Sequence, residues 1–269
     1  MKKFYFIGGF IFLIIGNLKA QGPIDGFMKG KNETDFALTY SFEKYNKYYF
    51  GDEVQDISIT TQTASLFVAH GFSKTLNLIA SIPFIWNDAD ANLQDAVLAL
   101  KYRGKYWQYK HGDLSKITSF GFSFPISNYD KDIENPIGQR ATIFSLRQLY
   151  QYKAYGGFFV HLQSGFDFRV IPQSQIAIPL IFRLGYGGDK IFVDVWLDTF
   201  HTLSSEADTR ISGGEGAKYV KIGGTVYYAL APKFGVFIGG AHFMSGRNVG
   251  KASRLNVGLV YKQFKRKDN

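Results

Sequence analysis

Residues 251–264 read KASRLNVGLVYKQF, and their alternation decides the fold. Leu255, Val257 and Leu259 are apolar, while the residues between them are polar or small. Successive side chains of a β-strand point to opposite faces, so this stretch has one apolar face and one polar face. A strand of this kind near the C-terminus is typical of a barrel whose outer face contacts hydrocarbon and whose inner face encloses a lumen.

The first 20 residues have the three parts of a secretion signal. Lys2 and Lys3 form the basic start, residues 4–15 are apolar, and Ala20 supplies a small residue for cleavage. The apolar run is shorter than the ~20 residues of a spanning helix, and a retained N-terminal anchor is the alternative. An exported chain that ends on an alternating strand is predicted to be a β-barrel of the bacterial outer membrane.

The composition favours strands and narrows the chemistry. Aromatic residues make up 17% of the chain, and mean hydropathy is −0.09, as expected when every second strand residue is apolar. Cysteine is absent, which excludes disulfides, thiolate catalysis and cysteine-based metal sites. The formal net charge of +9 falls to about +6 beyond residue 20. Its cations are scattered among acids, so we expect a solvated basic surface and no nucleic-acid partner.

The 249 residues beyond residue 20 accommodate about twelve strands, at roughly 21 residues for each strand and its connection. We therefore predict an all-β fold, a transmembrane antiparallel up-and-down β-barrel in residues 34–264, followed by a polar tail at 265–269. Bacterial barrels have even strand numbers, so ten or fourteen strands are alternatives, as is a soluble β-sandwich or lipocalin-like barrel. The predicted strands are 34–44, 57–70, 75–86, 92–107, 116–127, 140–153, 156–170, 175–186, 190–202, 218–230, 234–244 and 252–264.

The connections between these strands alternate in length, which is typical of an outer-membrane barrel with short periplasmic turns and long outer loops. Two connections fit this pattern less well, because residues 109–115 are long for a turn and residues 171–174 are short for an outer loop. The short connections are 71–74, 154–155, 187–189 and 231–233, and the long ones are 45–56, 127–139 and 203–217.

Charged residues recur on one face of the predicted strands. In the fourth strand, the odd-numbered positions from Lys101 to Lys105 are cationic, opposite the apolar Leu98 and Leu100. A charge that faces lipid at mid-membrane costs about 2–4 kcal/mol, so the charged face is predicted to line the lumen. Charges that pair would brace the barrel, and those that do not would select solutes. The predicted lumen-lining and solute-binding residues are Asp95, Lys101, Arg103, Arg147, Asp167, Arg169, Arg183, Asp194, Trp196, Asp198, Lys221 and Arg254.

Trp196 shares the inward face of the ninth strand with Asp194 and Asp198. This aromatic–acid stripe is predicted either to bind an aromatic or amphiphilic solute or to pack against a plug. Residues 21–33 (QGPIDGFMKGKNE) precede the first strand and are polar and rich in glycine. We expect them to form a free periplasmic lead-in, with a small plug folded into the lumen as the alternative.

Three stretches keep an order and spacing found in a known family. They are residues 70–84, which contain HGFSKTLNL and SIPF, residues 92–102, which contain NLQD and LALKY, and residues 245–248, SGRN. These stretches resemble the outer-membrane channel family named for the meta pathway of phenol degradation, which is distantly related to FadL-type transporters. The resemblance implies a barrel that takes up hydrophobic compounds, but it does not establish phenol as the ligand. Ala91 or Asn92 stands where glycine is common in the family.

Taken together, these patterns predict an outer-membrane channel for the passive uptake of small, hydrophobic or amphiphilic solutes. The alternatives are a structural or adhesion barrel whose outer loops bind a partner, and a lipid hydrolase built on His242 and Ser245. We expect no catalytic residue and no cofactor, and the five histidines show no metal-binding spacing. The expected partners are outer-membrane lipid and lipopolysaccharide, the outer-membrane assembly machinery and a small-molecule solute.

Overall fold

The computed structural model describes residues 24–51, 53–133, 135–203 and 216–264. The predicted signal sequence and polar tail lie outside these residues and stay predictions. All regular structure in the described part of the chain is β-strand. No helix within these ranges is long and apolar enough to cross a membrane.

Twelve long antiparallel strands form one closed barrel, which confirms the predicted fold class. Each barrel strand pairs with the next along the chain, and the first closes the ring by pairing with the last, from Thr34 opposite Gln263 to Lys44 opposite Ser253. The barrel strands are β1 (Thr34–Tyr45), β4 (Ile59–Gly71), β5 (Leu76–Trp86), β7 (Asp95–Tyr109), β8 (Gly112–Pro125), β9 (Thr142–Ala154), β10 (Phe158–Ile171), β11 (Gln175–Gly187), β12 (Ile191–Thr202), β13 (Lys218–Ala231), β14 (Phe234–Arg247) and β16 (Ser253–Gln263). Four short strands lie in the connections: β2 (Tyr48–Phe50), β3 (Glu53–Gln55), β6 (Ala91–Leu93) and β15 (Val249–Gly250).

Short and long connections lie at opposite ends of the barrel, here called the turn end and the loop end. The turn-end connections are residues 72–75, 110–111, 155–157, 188–190 and 232–233. The predicted long connection at 109–115 is wrong, because β7 and β8 continue until Tyr109 pairs with Gly112. At the loop end, the connection between β10 and β11 is short, as predicted. Residues 204–215 of the long connection after β12 lie outside the described residues.

Side chains alternate across the barrel wall with the predicted two-residue period. Phe120 and Leu162 are 60% and 46% exposed, whereas the adjacent Ser119 and Gln163 are 0% and 2% exposed. Apolar side chains therefore cover the outside of the barrel, and polar side chains are packed within it.

A β-bulge at Gly104 interrupts this alternation in β7. The pairing register shifts between Arg103, which lies opposite Ile117, and Lys105, which lies opposite Lys116. A bulge inserts one extra residue into a strand and re-aims the side chains beyond it. The prediction that Lys105 faces inward is therefore wrong. Lys105 shares the outer face with Lys116.

The N-terminal segment (residues 24–33) lies against the inward face of the barrel wall. Ile24 is buried in a cluster with apolar side chains from five strands, which include Ile79 and Leu149. The Phe27 ring packs edge-on against Phe159, at 5.1 Å between centroids. The backbone N–H of Lys29 donates a 2.7 Å hydrogen bond to the side-chain oxygen of Asn77.

Gly71 permits this docking because it has no side chain. A Cβ atom at this position would lie 2.0 Å from the carbonyl oxygen of Gly30. The Gly71 carbonyl also accepts a 2.6 Å hydrogen bond from the backbone N–H of Asn32. The end of β4 and the N-terminal segment therefore approach each other more closely than any larger residue would allow.

We expect Gly71→Ala to loosen the N-terminal segment from the barrel wall, because the added methyl group collides with the Gly30 carbonyl. Gly156→Ala is the matched control, since a Cβ there meets no atom within 4 Å. Trypsin cleavage after Lys29 or Lys31, followed by mass spectrometry, measures the change. The segment should be cut faster in Gly71→Ala and at the wild-type rate in Gly156→Ala. Equal rates in all three proteins would contradict the close contact.

Candidate functional site in the barrel lumen

Three charged side chains meet inside the turn-end half of the barrel. Lys101 of β7, Arg183 of β11 and Asp194 of β12 are each no more than 3% exposed. The Nε atom of Arg183 lies 3.4 Å from a carboxylate oxygen of Asp194. Lys101 reaches the N-terminal segment, where its Nζ donates to a carboxylate oxygen of Asp25 at 2.8 Å and to the Phe27 carbonyl at 2.7 Å. The Lys101 side chain and the N-terminal segment therefore hold one another in place.

Asp25 remains ionised in this setting. Burial alone would raise the pKa of its carboxyl group, but the charge of Lys101 and the hydrogen bond from it outweigh burial and lower the pKa to about 2. The Asp25 side chain nevertheless keeps 45% of its accessible surface. Because the folded-state pKa is depressed, the stabilisation is present above the ordinary pKa of Asp and is lost as the pH falls towards 2.

Three further ion pairs lie farther from the turn end. Arg147 of β9 contacts Asp167 of β10 at 2.6 Å, and Lys221 of β13 contacts Asp198 of β12 at 2.7 Å. Arg254 of β16 pairs at 2.9 Å with Glu43 of β1, across the closure of the barrel. All three pairs join adjacent strands and are largely buried, so they brace the wall from inside.

An aromatic cluster (Trp196, Phe200, Tyr219 and Phe243) surrounds the Lys221 ammonium. The Lys221 nitrogen lies 5.0 Å, 5.4 Å and 5.5 Å from the ring centroids of Tyr219, Phe243 and Trp196, and Phe200 stacks on Tyr219 at 5.3 Å. At these separations, the ring faces attract the cation. Gly223 leaves room for the Trp196 ring because glycine has no Cβ atom. A Cβ at this position would lie 2.3 Å from the ring.

Some buried polar atoms inside the barrel are left without a hydrogen-bond partner. Nε1 of Trp196 and Nδ1 of His161 have none within the described part of the chain. Such atoms are rare in folded proteins.

Three of the twelve predicted site residues lie at the ends of the barrel rather than within it. At the loop end, Asp95 accepts a 2.6 Å hydrogen bond from the buried Tyr129 hydroxyl, and Arg169 donates to the Gln139 side chain at 2.6 Å. At the turn end, Arg103 donates to the Lys74 carbonyl at 2.9 Å. Asp95 and Tyr129 thus anchor the loop between β8 and β9. A solute-binding role for any of the twelve stays a prediction.

Sequence reasoning missed several residues of the lumen. Asp25 and Phe27 lie in the stretch expected to be a free lead-in, although the apolar residues of Ile24–Phe27 were a sign that it could be buried. Glu43 has the inward parity of β1 but lies at the end of the predicted strand. Nothing in the sequence singles out Tyr219 and Phe243, because no spacing relates residues of neighbouring strands.

The residues suggested for a lipid hydrolase are arranged differently from the prediction. His242 Nδ1 lies 2.7 Å from the hydroxyl of Ser253, across β14 and β16, rather than beside Ser245. Both residues have the parity of the outer face. Thr34 and His70 form a similar 2.8 Å contact at the turn end, so such pairs recur as cross-strand contacts. No group of three or more His, Asp or Glu side chains in the described ranges could hold a metal ion.

Comparisons with known proteins identify the fold but not the family. No family model matches the sequence, and no curated protein matches it. The structure is similar to that of the COG4313 outer membrane channel from Pseudomonas putida F1, with a TM-score of 0.72 and 16% identity over 91% of this chain and 100% of that one. The NanC porin (TM-score 0.58, 9% identity) and the KdgM porin (0.53, 11%) each match 85% of this chain and 99–100% of their own. The chain thus has the fold of outer-membrane channels, and the family resemblance stays a prediction.

We expect Arg183→Met to destabilise the barrel by about 3–5 kcal/mol, because it removes the guanidinium from beside the fully buried Asp194 carboxylate. Lys131→Met is the matched control, since the Lys131–Asp132 pair is solvent-exposed and contributes less than about 1 kcal/mol. Urea unfolding of the folded protein in detergent measures both free energies. Similar small losses in the two variants would show that the Arg183–Asp194 pair does not support the lumen.

Proposed function

We propose that this protein is a passive channel in the bacterial outer membrane, with its turn end in the periplasm, for small amphiphilic or hydrophobic solutes. The observation that carries the proposal is a closed twelve-stranded barrel with an apolar outside and an inside lined by charged and aromatic side chains. Outer-membrane channels have this fold, and a lipid environment explains both faces at once.

The charge balance of the lumen favours solutes without a large net charge. Five inward cations, Lys101, Arg147, Arg183, Lys221 and Arg254, each have a carboxylate within 3.4 Å, so these five contribute little unpaired charge that would attract ions. A structure of the KdgM porin contains oligogalacturonate, a polymer of acidic sugars. A lumen of paired charges would not concentrate such a polyanion. The electric field in the lumen depends on the charges that have no partner of opposite sign.

The aromatic cluster provides the features that an amphiphilic solute needs. Its rings offer apolar faces, while the nearby Lys221–Asp198 pair offers polar contacts. Ligand sites commonly combine an apolar lining with a few placed polar groups. We infer that the aromatic cluster is where solutes are recognised inside the barrel.

The N-terminal segment acts in this proposal as a plug. Its contacts with Lys101, Asn77 and Phe159, on three separate strands, support a position across the turn-end half of the lumen. Solutes would leave the barrel past this segment or after its displacement. The plug would therefore limit the rate of flux.

Removal of residues 24–30 should raise single-channel conductance in a planar bilayer, because it clears the turn-end half of the lumen. Phe27→Ala should raise conductance less, and Phe72→Ala, which alters an exposed turn residue, should match the wild type. Heat-modifiable migration on gels confirms that each barrel is folded. Folded wild-type and deletion proteins that both fail to conduct would overturn the channel proposal. Equal conductance in the two would overturn the plug alone.

A charged side chain on the outer face should destabilise the barrel if that face lies in lipid. We expect Phe120→Arg to cost about 2–4 kcal/mol of folding free energy in bilayers, because the arginine faces hydrocarbon. Val54→Arg is the control, since Val54 is similarly exposed but lies in β3, beyond the barrel wall. Folding titrations in phospholipid vesicles measure the difference. If Phe120→Arg is as harmless as Val54→Arg, the outer face is not in a membrane.

A further inference from the structure

Two lysines lie directly opposite each other on the outer face of the β7–β8 hairpin. The bulge at Gly104 brings Lys105 to this face, where it pairs in register with Lys116. Like charges at directly opposed positions of an antiparallel pair repel each other. A negative group that lies between the two ammonium groups would therefore stabilise this arrangement.

The strands and turns around this pair, all within the described residues, supply no carboxylate on that face. Strands β5, β7, β8 and β9 contain only two acidic residues, Asp95 and Asp113. Asp95 lies at the loop end, and Asp113 lies on the other face of the hairpin, opposite Gln108 and in contact with Tyr155. The turns that border these strands at residues 72–75, 110–111 and 155–157 contain no acid. A counter-charge for the pair would therefore come from outside these strands and turns.

The surroundings of the two lysines indicate where that counter-charge lies. Strand β5 begins at Leu76, opposite Tyr102, so Lys105 lies just beyond the paired wall on that side. The Lys116 nitrogen lies 5.8 Å from the centroid of the Tyr150 ring. Tyr150 and Trp107 are 40% and 36% exposed on this outer face. Exposed tyrosine and tryptophan collect at the level of lipid headgroups, where lysine side chains also extend towards phosphate.

We propose that Lys105 and Lys116 together bind the phosphate of an anionic phospholipid on the outside of the barrel. The proposal rests on the membrane placement argued above but does not require a conducting lumen. The lipid tails would lie along the apolar outer face that continues from these residues through Phe120 towards the loop end. The phosphate diester would bridge the two ammonium groups, while Tyr150 and Trp107 flank the headgroup.

Native mass spectrometry of the full-length mature protein in detergent tests this site with phosphatidylglycerol and phosphatidylcholine as probes. The wild type should retain phosphatidylglycerol in preference to phosphatidylcholine. A lysine near an anionic membrane surface contributes about 1 kcal/mol to binding, a factor of about 5.4 in affinity. Lys105→Gln combined with Lys116→Gln should therefore weaken phosphatidylglycerol binding by roughly 30-fold. The control is Lys190→Gln with Lys233→Gln, which removes the same charge from exposed turn-end positions and should leave binding unchanged.

Four outcomes would overturn the proposal. They are equal retention of the two lipids by the wild type, equal losses in the two double variants, no loss in either, and displacement of the lipid by an equal concentration of inorganic phosphate. Flotation with vesicles and single-channel conductance of the same proteins separate this result from the proposed function. If the wild type inserts and conducts without preferring phosphatidylglycerol, the lipid site fails and the channel stands. A wild-type protein that neither floats with vesicles nor conducts would overturn both the lipid site and the channel proposal.

Discussion

Pairing between the first and last barrel strands, β1 and β16, is the constraint on which the rest of the structure depends. Eleven consecutive residue pairs close the ring, so no barrel strand keeps an open edge. An open edge in a membrane would leave backbone N–H and C=O groups without partners, at several kcal/mol each. Closure also fixes which face of every strand is inside. The Arg254–Glu43 ion pair crosses this seam and couples it to the charged lumen.

The lumen is organised by pairing charges rather than by leaving them free. Ion pairs link β11 to β12, β9 to β10, β12 to β13 and β16 to β1, and one more links β7 to the N-terminal segment. Buried charges without partners are costly, and paired ones still bring specificity of register. In this barrel, the same pairs neutralise five of the buried cations. In the proposed channel, recognition of solutes therefore falls to the aromatic cluster.

Much of the fold could be predicted from the sequence, because the two-residue period is a local property. It indicates how many strands there are and which side chains of each strand lie inside the barrel. That is why Asp194 and Trp196 could be placed inside and Val193 and Val195 outside without coordinates. The bulge at Gly104 could not be predicted from the sequence, because no change in composition marks it. It nevertheless turns each later side chain of β7 to the opposite face of the strand. For residues 21–33, the sequence favoured a free lead-in and left a plug in the lumen as the alternative. The choice depends on contacts such as those of Phe27 with Phe159 and Phe192, more than 100 residues away along the chain.

The central claim is that alternate residues of each strand face lipid and lumen, and β10 allows its most direct test. The chain has no cysteine, so single cysteines can be introduced at Leu162, Gln163, Phe166 and Asp167 and labelled with a fluorophore. Brominated phospholipids quench fluorophores that contact acyl chains. The account predicts strong quenching at 162 and 166 and little at 163 and 167. Equal quenching at all four positions, or the reverse pattern, would contradict it.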